Sequence, residues 1–242
     1  MPHAPVLLET IQPSLDEGRR IRKAVDELDL SGADALVLVS AHGRVAGVYE
    51  HPVGALGGFG IDGLEVVERP TDDGLVRALS DAWGYECIGG PADYGVVVPL
   101  LLGLGNGVPV VAAALPETTG PLGTEMNESL RAARSLAEAL QKVAGELDLA
   151  VVASGHASAG LTDRAPLTKL PGAAELDREV VVALEDDPEL VEGLLQRLHE
   201  TGRACGAGPL AAIARLFGGW KCRDVTYEAP YGVGYLVAEL TR

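Results

Sequence analysis

The chain has 242 residues, 47% of them hydrophobic and 22% charged, with a formal net charge of −16. That apolar content suffices for a large core, and the length suits one α/β domain or two small ones. The acidity argues against nucleic acid, which demands clustered cations, and against an anionic membrane surface. Aromatic residues supply only 4%, so the core must be built from Val, Leu, Ala and Ile. The longest apolar run, Val96 to Leu104, is far short of the roughly 20 residues that span a bilayer. Cys87, Cys205 and Cys222 form no CxxC pair, which is ordinary for a reducing compartment. No basic segment followed by an apolar stretch opens the chain, so no secretory signal is read and a cytoplasmic protein is expected.

In chain order, the first predicted strand is Asp34 to Ser40, an apolar run that delivers Ala41-His42-Gly43 to a loop. Gly54 to Gly63 reads as a loop. It is not a phosphate loop, since no Lys-Ser/Thr follows. Asp93 to Leu104 fits a helix better than a strand, because Pro99 would be awkward inside a central strand. Val108 to Leu115 is the next strand. Asn127 to Gly145 carries Leu130, Ala133, Leu136, Ala137, Leu140 and Val143 at helical spacing, with Gly145 as a stop. Leu149 to Ser154 is a third strand. Glu175 to Leu184 and Glu189 to His199 read as helices separated by Pro188, and Pro209 to Phe217 as another, with proline suited to its first turn. Val225 to Glu228 and Val233 to Glu239 read as a final pair of strands. Strands alternating with helices predict a three-layer α/β/α sandwich on a central mixed sheet, and no linker divides residues 1–242.

His3, His42 and Glu228 are the candidate metal ligands, each flanked by small residues, proline or glycine. Two imidazoles and one carboxylate bind non-haem Fe(II) and leave positions free for substrate and oxygen. Zn(II) accepts the same donors. His42 closes a buried strand, where active-site residues of open α/β sheets lie. Taken alone, His3 reads as a surface residue and Glu228 as a strand-end carboxylate. His51 and His199 read as surface residues, and Cys205 in Ala-Cys-Gly-Ala-Gly as a small packed residue.

Six segments, in order, resemble the class III extradiol ring-cleavage dioxygenases, the LigB-like family that also includes the Memo-type proteins. They are Pro2-His3-Ala4-Pro5, Val39-Ser40-Ala41-His42-Gly43, Leu56-Gly57-Gly58-Phe59-Gly60, the stretch from Asp93-Tyr94-Gly95 to Leu100, a single stretch made of Ser154 to Ala159 and Leu161 to Pro166, and Tyr227-Glu228-Ala229-Pro230-Tyr231-Gly232-Val233-Gly234-Tyr235. The resemblance covers nearly the whole chain. It implies the LigB-like sandwich, Fe(II) on His3, His42 and Glu228, and a dioxygenase that opens a catechol-like aromatic ring with O₂. By the same analogy the protein would be a homodimer.

The sequence departs from the family pattern at three places. The family's acid/base histidine falls at Ala159, which cannot move a proton, so His156 is the candidate to reach the same cavity. The histidine of the Asp-His-Gly element is Tyr94, a phenol with an ordinary pKa of about 10 that suits hydrogen-bond donation better than base catalysis. General acid–base help is worth roughly 10²- to 10⁴-fold, so the alternative is a Memo-like metal-binding protein without ring cleavage. Finally, only Met1 and Pro2 precede His3 where the family has a strand. A ligand so placed needs either residues upstream or packing that pins it.

Overall fold

The computed structural model describes residues 1–9, 11, 18–66, 68–118, 126–145, 147–163, 169–216 and 218–241. Its elements in order are α1 (Arg19–Asp26), β1 (Ala35–Gly43), β2 (Gly47–Tyr49), β3 (Gly54–Ala55), β4 (Glu65–Val66), α2 (Asp73–Trp83), β5 (Cys87–Ile88), α3 (Tyr94–Leu101), β6 (Val110–Pro116), α4 (Met126–Ala144), β7 (Leu149–Ser154), α5 (Ala173–Asp186), α6 (Val191–Gly202), α7 (Ala207–Ala214), β8 (Lys221–Glu228) and β9 (Tyr235–Thr241). Five strands form a mixed sheet in the order β5-β2-β6-β1-β7. β1 runs parallel to β6 and β7, whereas β2 meets β6 antiparallel. Helices lie on both faces, so the fold is an α/β sandwich of three layers.

The burial of β1 explains its sequence. Ala35, Val37 and Val39 face a core shared with α2, α4, α5, α6 and α7, while Leu36 and Leu38 face a second core with Val96 and Leu100 of α3. A strand covered on both sides has no polar face to alternate with, hence its continuous apolar run. At its C-terminal end the strand turns to function: Ser40 and His42 are both buried polar residues.

Two helices lie where the sequence reading placed nothing. In α1, Ile21, Ala24 and Val25 pack on Val233, Tyr235 and Val237 of the terminal hairpin. In α2, the Asp72 carboxylate caps the helix by accepting from Leu75 N–H, and Gly84 closes it in the left-handed conformation. The Gly54–Gly63 segment is not wholly loop: β3 and β4 pair across a short 3₁₀ turn at Gly57–Phe59. Residues 94–101 are a helix as expected, with Pro99 inside it and Asp93 capping Gly95 N–H. Phe217 and residues 164–166 of the expected motifs lie outside the described residues. Among the described residues, no helix is long and apolar enough to cross a membrane.

Candidate metal centre

Three donors converge where the ends of β1 and β7 meet the start of α7. They belong to His3, His42 and Cys205, all buried, with ligand atoms within 4.8 Å of one another. His3 Nε2 lies 3.1 Å from His42 Nε2 and 3.5 Å from Cys205 Sγ. The segment bearing His3 is pinned against β7. Met1 nitrogen donates to the Ala153 carbonyl at 2.8 Å, and Gly155 N–H donates to the Met1 carbonyl at 2.9 Å.

The surroundings orient each imidazole. His42 Nδ1 lies 3.2 Å from Glu117 Oε1, and its backbone N–H donates to Ser40 Oγ. His3 Nδ1 lies 3.1 Å from Ser154 Oγ. In both rings the far nitrogen is held by an oxygen and Nε2 turns inward, the arrangement by which outer partners fix metal-ligating histidines. Two imidazole nitrogens sharing one ion at about 2.0–2.1 Å stand roughly 3.1–3.4 Å apart, and the separation here is 3.1 Å. The residues present fit a single cation.

Charge follows the same geometry. Burial pushes the Cys205 thiol up, but His156 and His3 outweigh it by charge and hydrogen bonding, leaving the thiol well below its usual range. The start of α7 two residues on adds the favourable end of a helix dipole. His42 loses by burial but gains more from Cys205 and Glu117, and is pushed up to about 9. His3 is lowered, chiefly by burial. Across the centre Cys205 and His3 are therefore biased toward losing a proton and His42 toward keeping one.

The expected site residues divide as follows. His3 and His42 meet, their Nε2 atoms 3.1 Å apart. Glu228 is not among the converging donors; at the end of β8 its carboxylate pairs with Arg20 at 3.6 Å. The third donor is instead Cys205, where the sequence reading placed only a small packed residue. A cysteine outside any CxxC pair, in a chain with candidate histidines elsewhere, is the available signal.

His156 reaches the centre through the sulfur: its Nδ1 makes a short contact with Cys205 Sγ, and its backbone N–H points to the same atom at 3.4 Å. The Tyr94 hydroxyl lies 2.7 Å from His42 Nε2, its ring stacked on the imidazole with centroids 4.1 Å apart. Burial and nearby negative charge hold the Tyr94 phenol above its ordinary range, so it serves as a neutral hydroxyl. Ala159 is buried, with its N–H bonded to the Gly202 carbonyl. Glu117, which the sequence reading did not single out, has a side chain 42% accessible, so the centre meets solvent on that side.

No family profile matches this chain, and no curated protein matches it by sequence. Among solved structures it is similar to the crystal structure of uncharacterized protein JW3007 from Escherichia coli K12. The TM-score is 0.56 at 19% identity, over 91% of this chain and 90% of that one. A likeness at that identity supports the sandwich fold alone.

Proposed function

We propose that the protein holds one metal ion on His3 Nε2, His42 Nε2 and Cys205 Sγ, and that aromatic-ring cleavage is not its chemistry. The observation that carries this reading is the convergence of two imidazoles and a buried cysteine sulfur, with Glu228 engaged by Arg20. A thiolate among imidazoles selects zinc or copper over the Fe(II) of a two-histidine, one-carboxylate site. The ion would act as a Lewis acid or electron carrier. The chain's own residues do the rest: Glu117 and Ser154 orient the imidazoles, His156 hydrogen-bonds the sulfur, and the neutral Tyr94 hydroxyl offers a donor beside any further ligand. This is the Memo-like alternative of the sequence resemblance, with the third ligand reassigned. Competitive binding of Zn(II), Cu(I) and Fe(II) under anaerobic conditions tests it. One equivalent of zinc or copper, displacing Fe(II), supports the reading. Stoichiometric Fe(II) with oxygen-dependent opening of a catechol defeats it.

A further inference from the structure

Pro99 lies in the interior of α3 and has no N–H for the carbonyl four residues earlier, that of Gly95. Ser154 Oγ–H donates to this carbonyl at 2.6 Å. A serine hydroxyl has one proton. With that proton committed to a pure acceptor, Ser154 Oγ can only accept from His3 Nδ1, 3.1 Å away. His3 therefore carries its proton on Nδ1 and keeps the lone pair on Nε2, the atom that faces His42 and Cys205.

We propose that Ser154 is a positioning residue that selects the metal-binding tautomer of His3, anchored on the carbonyl that Pro99 leaves open. The Asp93-Tyr94-Gly95 turn then contributes a fixed backbone acceptor, in addition to the phenol. Its rigidity is visible: Asp93 Oδ1 accepts from Gly95 N–H at 2.7 Å and from Ser40 Oγ–H at 2.5 Å, and Oδ2 accepts from Tyr49 Oη–H at 2.9 Å. A Cβ on Gly95 would run into Ser40 Oγ, so the turn admits no side chain there. The opposite tautomer would need Ser154 to turn its proton onto His3 and leave the Gly95 carbonyl without its hydroxyl donor.

The effect on metal binding rests on the function proposed above, whereas the tautomer does not, and the experiment separates them. Long-range ¹H–¹⁵N correlation spectra of the metal-free full chain report which ring nitrogen of His3 is protonated. Zinc affinity is measured alongside for the wild type, Ser154→Ala and Ser154→Thr. The wild type should show Nδ1–H. Ser154→Ala should weaken that preference, leaving the proton of His42 as its remaining support, and bind zinc about 10- to 100-fold more weakly, and Ser154→Thr should restore both. Protonation of His3 at Nε2 in the wild type overturns the proposal whether or not the alanine variant folds, and so does an unchanged preference in Ser154→Ala. Nδ1–H in a wild type that binds no zinc sustains the tautomer assignment and removes the metal reading.

Discussion

The Nε2 atoms of His3 and His42 stand 3.1 Å apart although 39 positions separate the two residues. Two lone pairs cannot face each other at that distance without something positive between them. In the metal-free protein His42, pushed up to about 9, is the group that supplies a proton there, while burial lowers His3. A metal ion would take the place of that proton.

This exchange has a pH signature. Cys205 is held well below the usual thiol range and His42 is pushed up to about 9, so the proton that zinc displaces should come from His42. Zinc affinity should therefore rise about tenfold per pH unit from pH 7 and level off above about 9. Calorimetry in buffers of different ionisation enthalpy counts the protons. In the metal-free protein the raised His42 contributes stability fully below its ordinary 6.5 and loses it as pH rises through about 9, measurable as a falling denaturant midpoint.

Removing the sulfur should uncouple the ion from the fold. Zinc at 100 times its dissociation constant stabilises the native state by about 2.7 kcal/mol, or roughly 5–10 °C of Tm for a domain of this size. Cys205→Ser should lose most of that shift, and its metal-free Tm should fall as well, because the sulfur is the largest influence raising His42. Scanning calorimetry with and without zinc reads both.

Glu228 should be dispensable for the metal. Its partner Arg20 is 72% accessible, so Glu228→Gln should cost no more than about 1 kcal/mol. Zinc stoichiometry by elemental analysis should stay at one per chain. Loss of the ion in this variant would restore the carboxylate to the ligand set.

Legibility in the sequence tracks how local each determinant is. β1 and α4 are readable because burial on two faces, or on one stripe, writes itself into consecutive residues such as Leu36 to Val39 and Leu130 to Leu140, and β7 because apolar residues pack in part on both its faces. The signals for α2 were also present, with Asp72 and Gly84 bracketing Leu75, Val76, Leu79 and Trp83. α1 is masked by its four cations around Ile21. The candidate site is harder because its donors come from three distant segments. His3 and His42 stand out by their Pro and Gly neighbours, but nothing next to Cys205 announces a ligand. Its role comes from where the start of α7 lands, close to Gly155, whose missing side chain lets Gly206 approach.

Placing a histidine at position 159, where the family that the sequence resembles has its base, should not create a base. Ala159 is 5% accessible and its surroundings are filled, so Ala159→His should overpack the site. We expect a loss of about 1–3 kcal/mol by urea denaturation, and no gain of catechol-cleaving activity.

X-ray absorption spectroscopy of the zinc-loaded protein tests the central claim most directly. The ligand set predicts one sulfur at about 2.3 Å together with nitrogen scatterers at about 2.0–2.1 Å, two of them showing the outer-shell pattern of imidazole. A shell of nitrogen and oxygen alone, without sulfur, would contradict it.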